Sequence, residues 1–259
     1  MKGTDGRVSF TIGVSHKMYF SHARTLEWCS SVADLCREHP TTRDGLVDFF
    51  VLPTFLSLPA VLASEPPYRV GAQDVATVDS GPYTGEVSGA EIADLGGSLA
   101  EVGHAERRRL FGETSEMVAA KMAAALRNGL DVVLCLGEPV RTDSTAAAAL
   151  CVAQIESALS QARSEGLSGR VIAAYEPEWA IGAAEPAPIE HIIDVCADLK
   201  ASTDDDDRFQ VDVIYGGSAG PGLLTEIYPA ADGLFLGRFA HDPRAVRSIL
   251  DEALALTTS

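Results

Sequence analysis

Glu176 closes the run Val171-Ile172-Ala173-Ala174-Tyr175 and is followed by Pro177, Trp179 and the stretch Ala180-Ile181-Gly182. A run without polar alternation reads as a buried parallel strand, and Pro177 ends it by removing an N–H donor. A carboxylate at such an end, beneath a loop able to close over it, is placed to act as a general base. A solvated Glu in an ordinary strand-to-helix turn would read the same when taken alone. Other strand ends add Lys17 in Ser15-His16-Lys17, His104 in Gly103-His104-Ala105-Glu106, and the turns Gly216-Gly217-Ser218 and Leu236-Gly237-Arg238. A base, an imidazole, a cation and two glycine turns are what proton transfer on a phosphorylated substrate needs. The cation stabilises a developing oxyanion, and glycine lets backbone N–H groups close on a phosphate.

These residues need a frame that brings distant strand ends together. Strand-like runs fall at 8–14, 46–52, 69–73, 99–103, 131–136, 170–175, 210–215 and 232–236. Helical patterns lie near 22–38, 56–63, 88–96, 114–128, 144–165, 188–201, 221–228 and 241–255. Eight strand–helix units without a break in composition predict an α/β chain that is one domain over 1–259, a single (β/α)8 TIM barrel. A doubly wound sheet is the alternative. No Gly-x-Gly-x-x-Gly follows the first strand, and polar residues recur at the ends of many strands, which favours the barrel.

The net charge of −17 argues against nucleic acid and anionic membranes as partners, since phosphate backbones select clustered Lys and Arg. A small anion can still be held by backbone N–H groups and one lysine. No apolar stretch approaches a membrane span. The N-terminus lacks the apolar core and cleavage site of a secretory signal, so a cytoplasmic protein is expected. The five cysteines, Cys29, Cys36, Cys135, Cys151 and Cys196, form no CxxC pair and no Cys/His cluster at zinc spacing. Neither a metal site nor a cofactor is expected. His22 and His191 read as helix-start residues, His39 as a loop residue and His241 as lying near a helix start. Asp204-Asp205-Asp206-Asp207 reads as a solvated loop before the seventh strand.

His16-Lys17-Met18, Gly71-Ala72-Gln73, Tyr83 to Ser88, Gly103 to Arg108, Cys135-Leu136-Gly137-Glu138, Tyr175 to Gly182 and Tyr215 to Ser218 stand in one order along the chain. Through these motifs the sequence resembles the triosephosphate isomerase family over nearly its full length. The resemblance implies that Glu176 moves a proton between adjacent carbons through an enediolate. It implies His104 as the neutral electrophile and Lys17 as the cation that binds substrate and stabilises the oxyanion. Glu106 is implied to hold Lys17 or neighbouring groups, with a surface salt bridge to Arg107 or Arg108 as the alternative, and Cys135 to pack beside the base. Backbone N–H groups at Gly182, Ser218 and Gly237 are implied to grip the phosphate, helped by a short helix after Gly237. The family's loop, here 78–87, implies a homodimer with Thr84 near the partner's site.

Departures cluster around the catalytic set and leave it intact. Ser15 and His16 stand where the family has Asn and Trp, and Tyr19 and Ala105 where Asn and Ser are usual. Ala183-Ala184-Glu185 replaces the usual Thr-Gly-Lys hinge, and Gly237-Arg238 replaces two glycines. Ser15 is shorter than Asn and opens room near the carbonyl end. Arg238 either adds a cation at the phosphate turn or projects outward. The expected substrate is a small sugar phosphate other than the trioses, and a four-carbon ketose phosphate such as L-erythrulose 1-phosphate suits the extra room. The alternatives are an authentic triosephosphate isomerase and a phosphosugar-binding protein without turnover. The intact Lys17, His104 and Glu176 disfavour the second.

Overall fold

In the computed structural model, which describes residues 10–203 and 206–257, every predicted run becomes a strand. These are β1 (Phe10–Ser15), β2 (Val47–Leu52), β3 (Arg69–Ala72), β4 (Leu99–Val102), β5 (Asp131–Leu136), β6 (Gly169–Tyr175), β7 (Phe209–Tyr215) and β8 (Gly233–Leu236). Each pairs in parallel with the next, and β8 returns to pair with β1, so the sheet closes in chain order. Around it lie α1 (His22–Glu38), α2 (Pro40–Arg43), α3 (Leu58–Leu62), α4 (Gly89–Asp94), α5 (Ala105–Phe111), α6 (Ser115–Arg127), α7 (Ser144–Ser164), α8 (Ile189–Thr203), α9 (Leu223–Ile227) and α10 (Pro243–Thr257). The doubly wound alternative is thereby excluded.

The middle stretches of the strands are largely apolar because both of their faces are buried. Ile12, Val14, Ala100, Val102, Val171 and Ala173 pack outward beneath the helices. Phe50, Leu52, Leu99, Val133, Ile172, Ile214 and Phe235 fill the lumen, which is a packed core and not a pore. The same alternation turns Ser15, Glu101 and Cys135 inward at the C-terminal end of the barrel. The opposite end is closed by charge. Arg170 pairs with Asp48 and with Asp212, and Arg69 bridges Asp48 at 3.2 Å and Asp131 at 2.6 Å.

Helix starts follow their capping residues. Ser21, Thr114 and Asp143 accept from the backbone N–H groups of Arg24, Met117 and Ala146 at the heads of α1, α6 and α7. Two helices have no counterpart in the sequence reading. Helix α5 buries none of its residues, so Ala-Glu-Arg-Arg-Arg-Leu-Phe shows no apolar stripe to read. Helix α2 is a single turn begun by Pro40. Before it, His39 lies in the connection between α1 and α2, as expected of a loop residue, and there it is a buried cap that accepts the Thr41 N–H and meets Asp251 at 3.0 Å. Residues 8–9 of the first predicted strand, and Asp204 and Asp205 of the acidic run, lie outside the described residues. Asp206 is paired with Arg163 at 2.9 Å and Arg208 at 2.8 Å. No helix among the described residues is long and apolar enough to cross a membrane.

Candidate active site

Past β1 the chain turns through Lys17, whose φ of 46° lies in the left-handed region that residues other than glycine rarely adopt. Gln73, just beyond β3, donates to the Lys17 carbonyl at 3.0 Å and to the Leu52 carbonyl at 2.9 Å, which holds this strained turn. The Lys17 ammonium reaches across the rim to within 2.6 Å of His104 Nε2 and 3.6 Å of Glu106 Oε2. His104 caps α5, and its Nδ1 accepts the Glu106 backbone N–H at 3.1 Å. That bond assigns the ring proton to Nε2 in the neutral tautomer. At 2.6 Å Lys17 Nζ and a protonated His104 Nε2 cannot serve as each other's acceptor, so what satisfies both N–H groups at this spot is an oxygen that accepts from the two, as one gaining negative charge would. Glu176 Oε2 lies 3.4 Å from the same Nε2 and is buried without a hydrogen-bond partner among the described residues. A carboxylate oxygen free of donors is the stronger base.

Burial sets the protonation of the trio. It draws the His104 imidazole down to about 3, with the Lys17 and Arg109 charges acting in the same direction, so the ring is neutral. It pushes the Glu176 carboxyl up to about 7, with the Lys17 ammonium opposing. For Lys17 itself burial alone would favour the neutral amine, but Glu176, Glu101 and Glu106 outweigh it and raise the group. Burial, with Glu176 and Glu101 adding to it, holds the Cys135 thiol well above its ordinary value, which disfavours a thiolate there. A carboxylate poised near neutrality beside a neutral imidazole and an ammonium is equipped for proton transfer at carbon.

The segment after Glu176 lies down over the site. A single 3-10 turn, Glu178–Ala180, follows Pro177, and Trp179 Nε1 donates to Glu138 Oε1 at 2.8 Å. The Ser218 hydroxyl donates to the Ala180 carbonyl at 2.8 Å, and the Ala187 N–H donates to the Tyr215 hydroxyl at 3.0 Å. Arg238 Nη2 donates to the Gly182 carbonyl at 3.0 Å. The Arg238 side chain is thus turned to the lid and not outward. Ser218, like Lys17, has a left-handed backbone, with φ of 59°. The predicted short helix after Gly237 is one 3-10 turn, Arg238–His241.

Lys17, Ser15, Glu106, Glu176, Gly182, Ser218, Gly237 and Arg238 all line one pocket of ≈ 270 Å³. His104 meets Lys17 and Glu176 from its wall, and Cys135 lies below. Arg107 is paired with Asp74 and Glu113, and Arg108 donates to the Gly103 carbonyl, so Glu106 is left to face Lys17. Four residues of the site carry roles that the sequence reading did not assign. Glu101 lies under the pocket, Gln73 holds the Lys17 turn, Glu138 holds the lid tryptophan, and Arg109 lines the rim. Gln73 and Glu138 stood in motifs without an assigned role, and Glu101 gave only the signal of an acid inside a strand.

A methyl at Gly216 would stand 2.6 Å from Glu176 Oε1 and 2.7 Å from its Cγ. Gly216→Ala should leave the barrel folded and displace the Glu176 carboxyl, with kcat falling by about 10²-fold, the usual cost of a misplacement near 1 Å. Steady-state rates and thermal melts on one preparation check this; an unchanged kcat would mean that the Glu176 position is not critical.

A sequence profile of triosephosphate isomerase matches residues 10–253. The chain is 48% identical to the L-erythrulose-1-phosphate isomerase of Pectobacterium atrosepticum, covering 96% of this chain and 97% of that protein. It is 35% identical to the L-erythrulose-1-phosphate isomerase of Mesorhizobium japonicum, over 96% of this chain and 99% of the relative. For the protein of that name from Rhizobium etli the identity is 36%, over 92% and 90%. Matched along nearly all of its barrel, the chain belongs to the triosephosphate isomerase family.

Proposed function

We propose that the chain isomerises a four-carbon ketose phosphate such as L-erythrulose 1-phosphate by moving its carbonyl to the adjacent carbon. The observation that carries the chemistry is the convergence of Lys17 Nζ, His104 Nε2 and Glu176 Oε2 on one point of the pocket. Glu176 removes the proton from the carbon beside the carbonyl, and the electron pair forms an enediolate whose oxygen meets the Lys17 and His104 donors. The protonated Glu176 returns a proton to the former carbonyl carbon, while His104 moves a proton between the two oxygens. The family is itself the standard instance of a neutral histidine electrophile beside a carboxylate base. The backbone at Gly182, Ser218 and Gly237 grips the phosphate, and Arg238 adds a cation there.

The four-carbon substrate is supported by the names of the relatives and by the shortened Ser15, which leaves room for one CHOH unit more than a triose phosphate carries. Ratios of kcat/KM decide it. L-erythrulose 1-phosphate should exceed dihydroxyacetone phosphate by about 10- to 200-fold, the range that one added unit in a fitted pocket gives. A preference for the triose would return the chain to triosephosphate isomerisation.

A homodimer through the 78–87 loop is part of the same reading. Met18, beside the catalytic lysine, and Tyr83 in that loop are large apolar side chains exposed to 91% and 49%, which a second copy would cover. A sedimentation mass of one chain would overturn the dimer.

A further inference from the structure

Glu101 points into the lumen directly beneath the pocket, on the inward register of Leu99. It is 3% exposed. The Ser15 hydroxyl donates to its Oε2 at 3.2 Å, and the Cys135 thiol faces its Oε1 at 3.7 Å. Glu101 also lies in the field of Lys17 and Glu176. A carboxyl in a packed lumen is costly, and a hydrophobic residue of similar volume would pack there at least as well. Among the described residues its hydrogen bonds run to Ser15 and Cys135, not to a helix cap or a loop of the barrel. The contacts make a chain across the floor: Ser15 on β1, Glu101 on β4 and Cys135 on β5, next to Glu176 at the end of β6.

Two buried carboxyls share one ammonium here, and a single positive charge does not hold both ionised. Burial, opposed by Lys17 and reinforced by Glu176, raises Glu101 to about 8, above the value of about 7 for Glu176. Near neutrality the two carboxyls are thus not both ionised, and the pair titrates as a unit. The phosphate turns gather at the ends of β6 to β8, whereas Ser15 opens to the pocket from β1 beside Lys17. Its hydroxyl thus lies on the lysine side of the pocket, away from the turns at Gly182, Ser218 and Gly237.

We propose that Glu101 is a positioning residue that acts through Ser15, fixing that hydroxyl so that one polar point of the pocket floor receives a hydroxyl of a four-carbon sugar phosphate. This rests on the four-carbon reading above. A double-mutant cycle of Ser15→Ala, Glu101→Leu and the pair tests it, with kcat/KM for L-erythrulose 1-phosphate and dihydroxyacetone phosphate and the inhibition constant of inorganic phosphate. Each single change should lower kcat/KM for the ketotetrose by about 10- to 100-fold. The loss for the triose should be smaller, so the preference narrows. The double variant should match the worse single variant within about 2-fold. Inorganic phosphate should inhibit all forms equally, the melting temperature of Glu101→Leu should not fall, and Glu101→Gln, which keeps a partner for Ser15, should restore most of the loss. Losses that multiply in the double variant, an unchanged Glu101→Leu, or equal losses on both substrates would overturn the proposal. If the wild type turns over only the triose, the four-carbon reading fails by itself, and the cycle run on the triose still shows whether Glu101 acts through Ser15.

Discussion

Replacing Glu176 with Gln should lower kcat by about 10³- to 10⁴-fold while the protein stays folded and still binds phosphate. The amide keeps the shape of the side chain, which Gly216 leaves room for, and the backbone bond from the Glu176 N–H to the Leu136 carbonyl at 2.7 Å is untouched. What disappears is the proton acceptor. Stability should move the other way. The folded-state value of Glu176 stands at about 7 against 4.5 for a free carboxyl, so the folded protein binds this proton more tightly. Its stabilising contribution is therefore complete below pH 4.5 and is lost as the pH rises through about 7. Glu176→Gln removes that loss, so its melting temperature should exceed that of the wild type at pH 8, with the gap closing towards pH 4.5. Turnover within tenfold of the wild type would remove Glu176 from the mechanism.

Lys17→Met should cost about 10²- to 10³-fold in kcat/KM at neutral pH through the lost oxyanion donor alone. A second effect makes this substitution diagnostic. The ammonium is the charge that holds Glu176 down against burial, so without it the carboxyl rises above about 7 and more of it is protonated at neutral pH. The acid limb of the pH–rate profile should shift upward, and the deficit at pH 7 should exceed that at pH 9. Methionine fills the space of the lysine stem, and Gln73 still holds the backbone turn. A deficit of the same size at every pH would show that Lys17 does not tune the base.

Much of this was legible in the sequence, for reasons that also mark where legibility ended. A closed parallel barrel buries both faces of every strand, so runs such as Val132 to Leu136 and Val171 to Tyr175 carry no polar interruption and declare themselves. Strand ends are where such a run meets its first polar residue, which is why Lys17, His104 and Glu176 stood out. Helix α5 did not, because it packs no face into the core. Glu101 was passed over because an acid in Leu-Ala-Glu-Val gains meaning only from Ser15, which lies across the closed barrel and 86 residues away in the chain. Glu138 showed as part of a motif, yet its partners Trp179, Tyr175 and His191 come from later elements that the fold brings to it. The orientation of Arg238 was likewise undecided until the Gly182 carbonyl was seen to accept from it.

Proton NMR of L-erythrulose 1-phosphate with the enzyme in deuterated water tests the central claim most directly. Proton transfer by Glu176 through an enediolate predicts solvent deuterium on the carbon beside the carbonyl, appearing as the carbonyl migrates and falling away with Glu176→Gln. A substrate that binds, yet neither takes up deuterium nor moves its carbonyl, would contradict it.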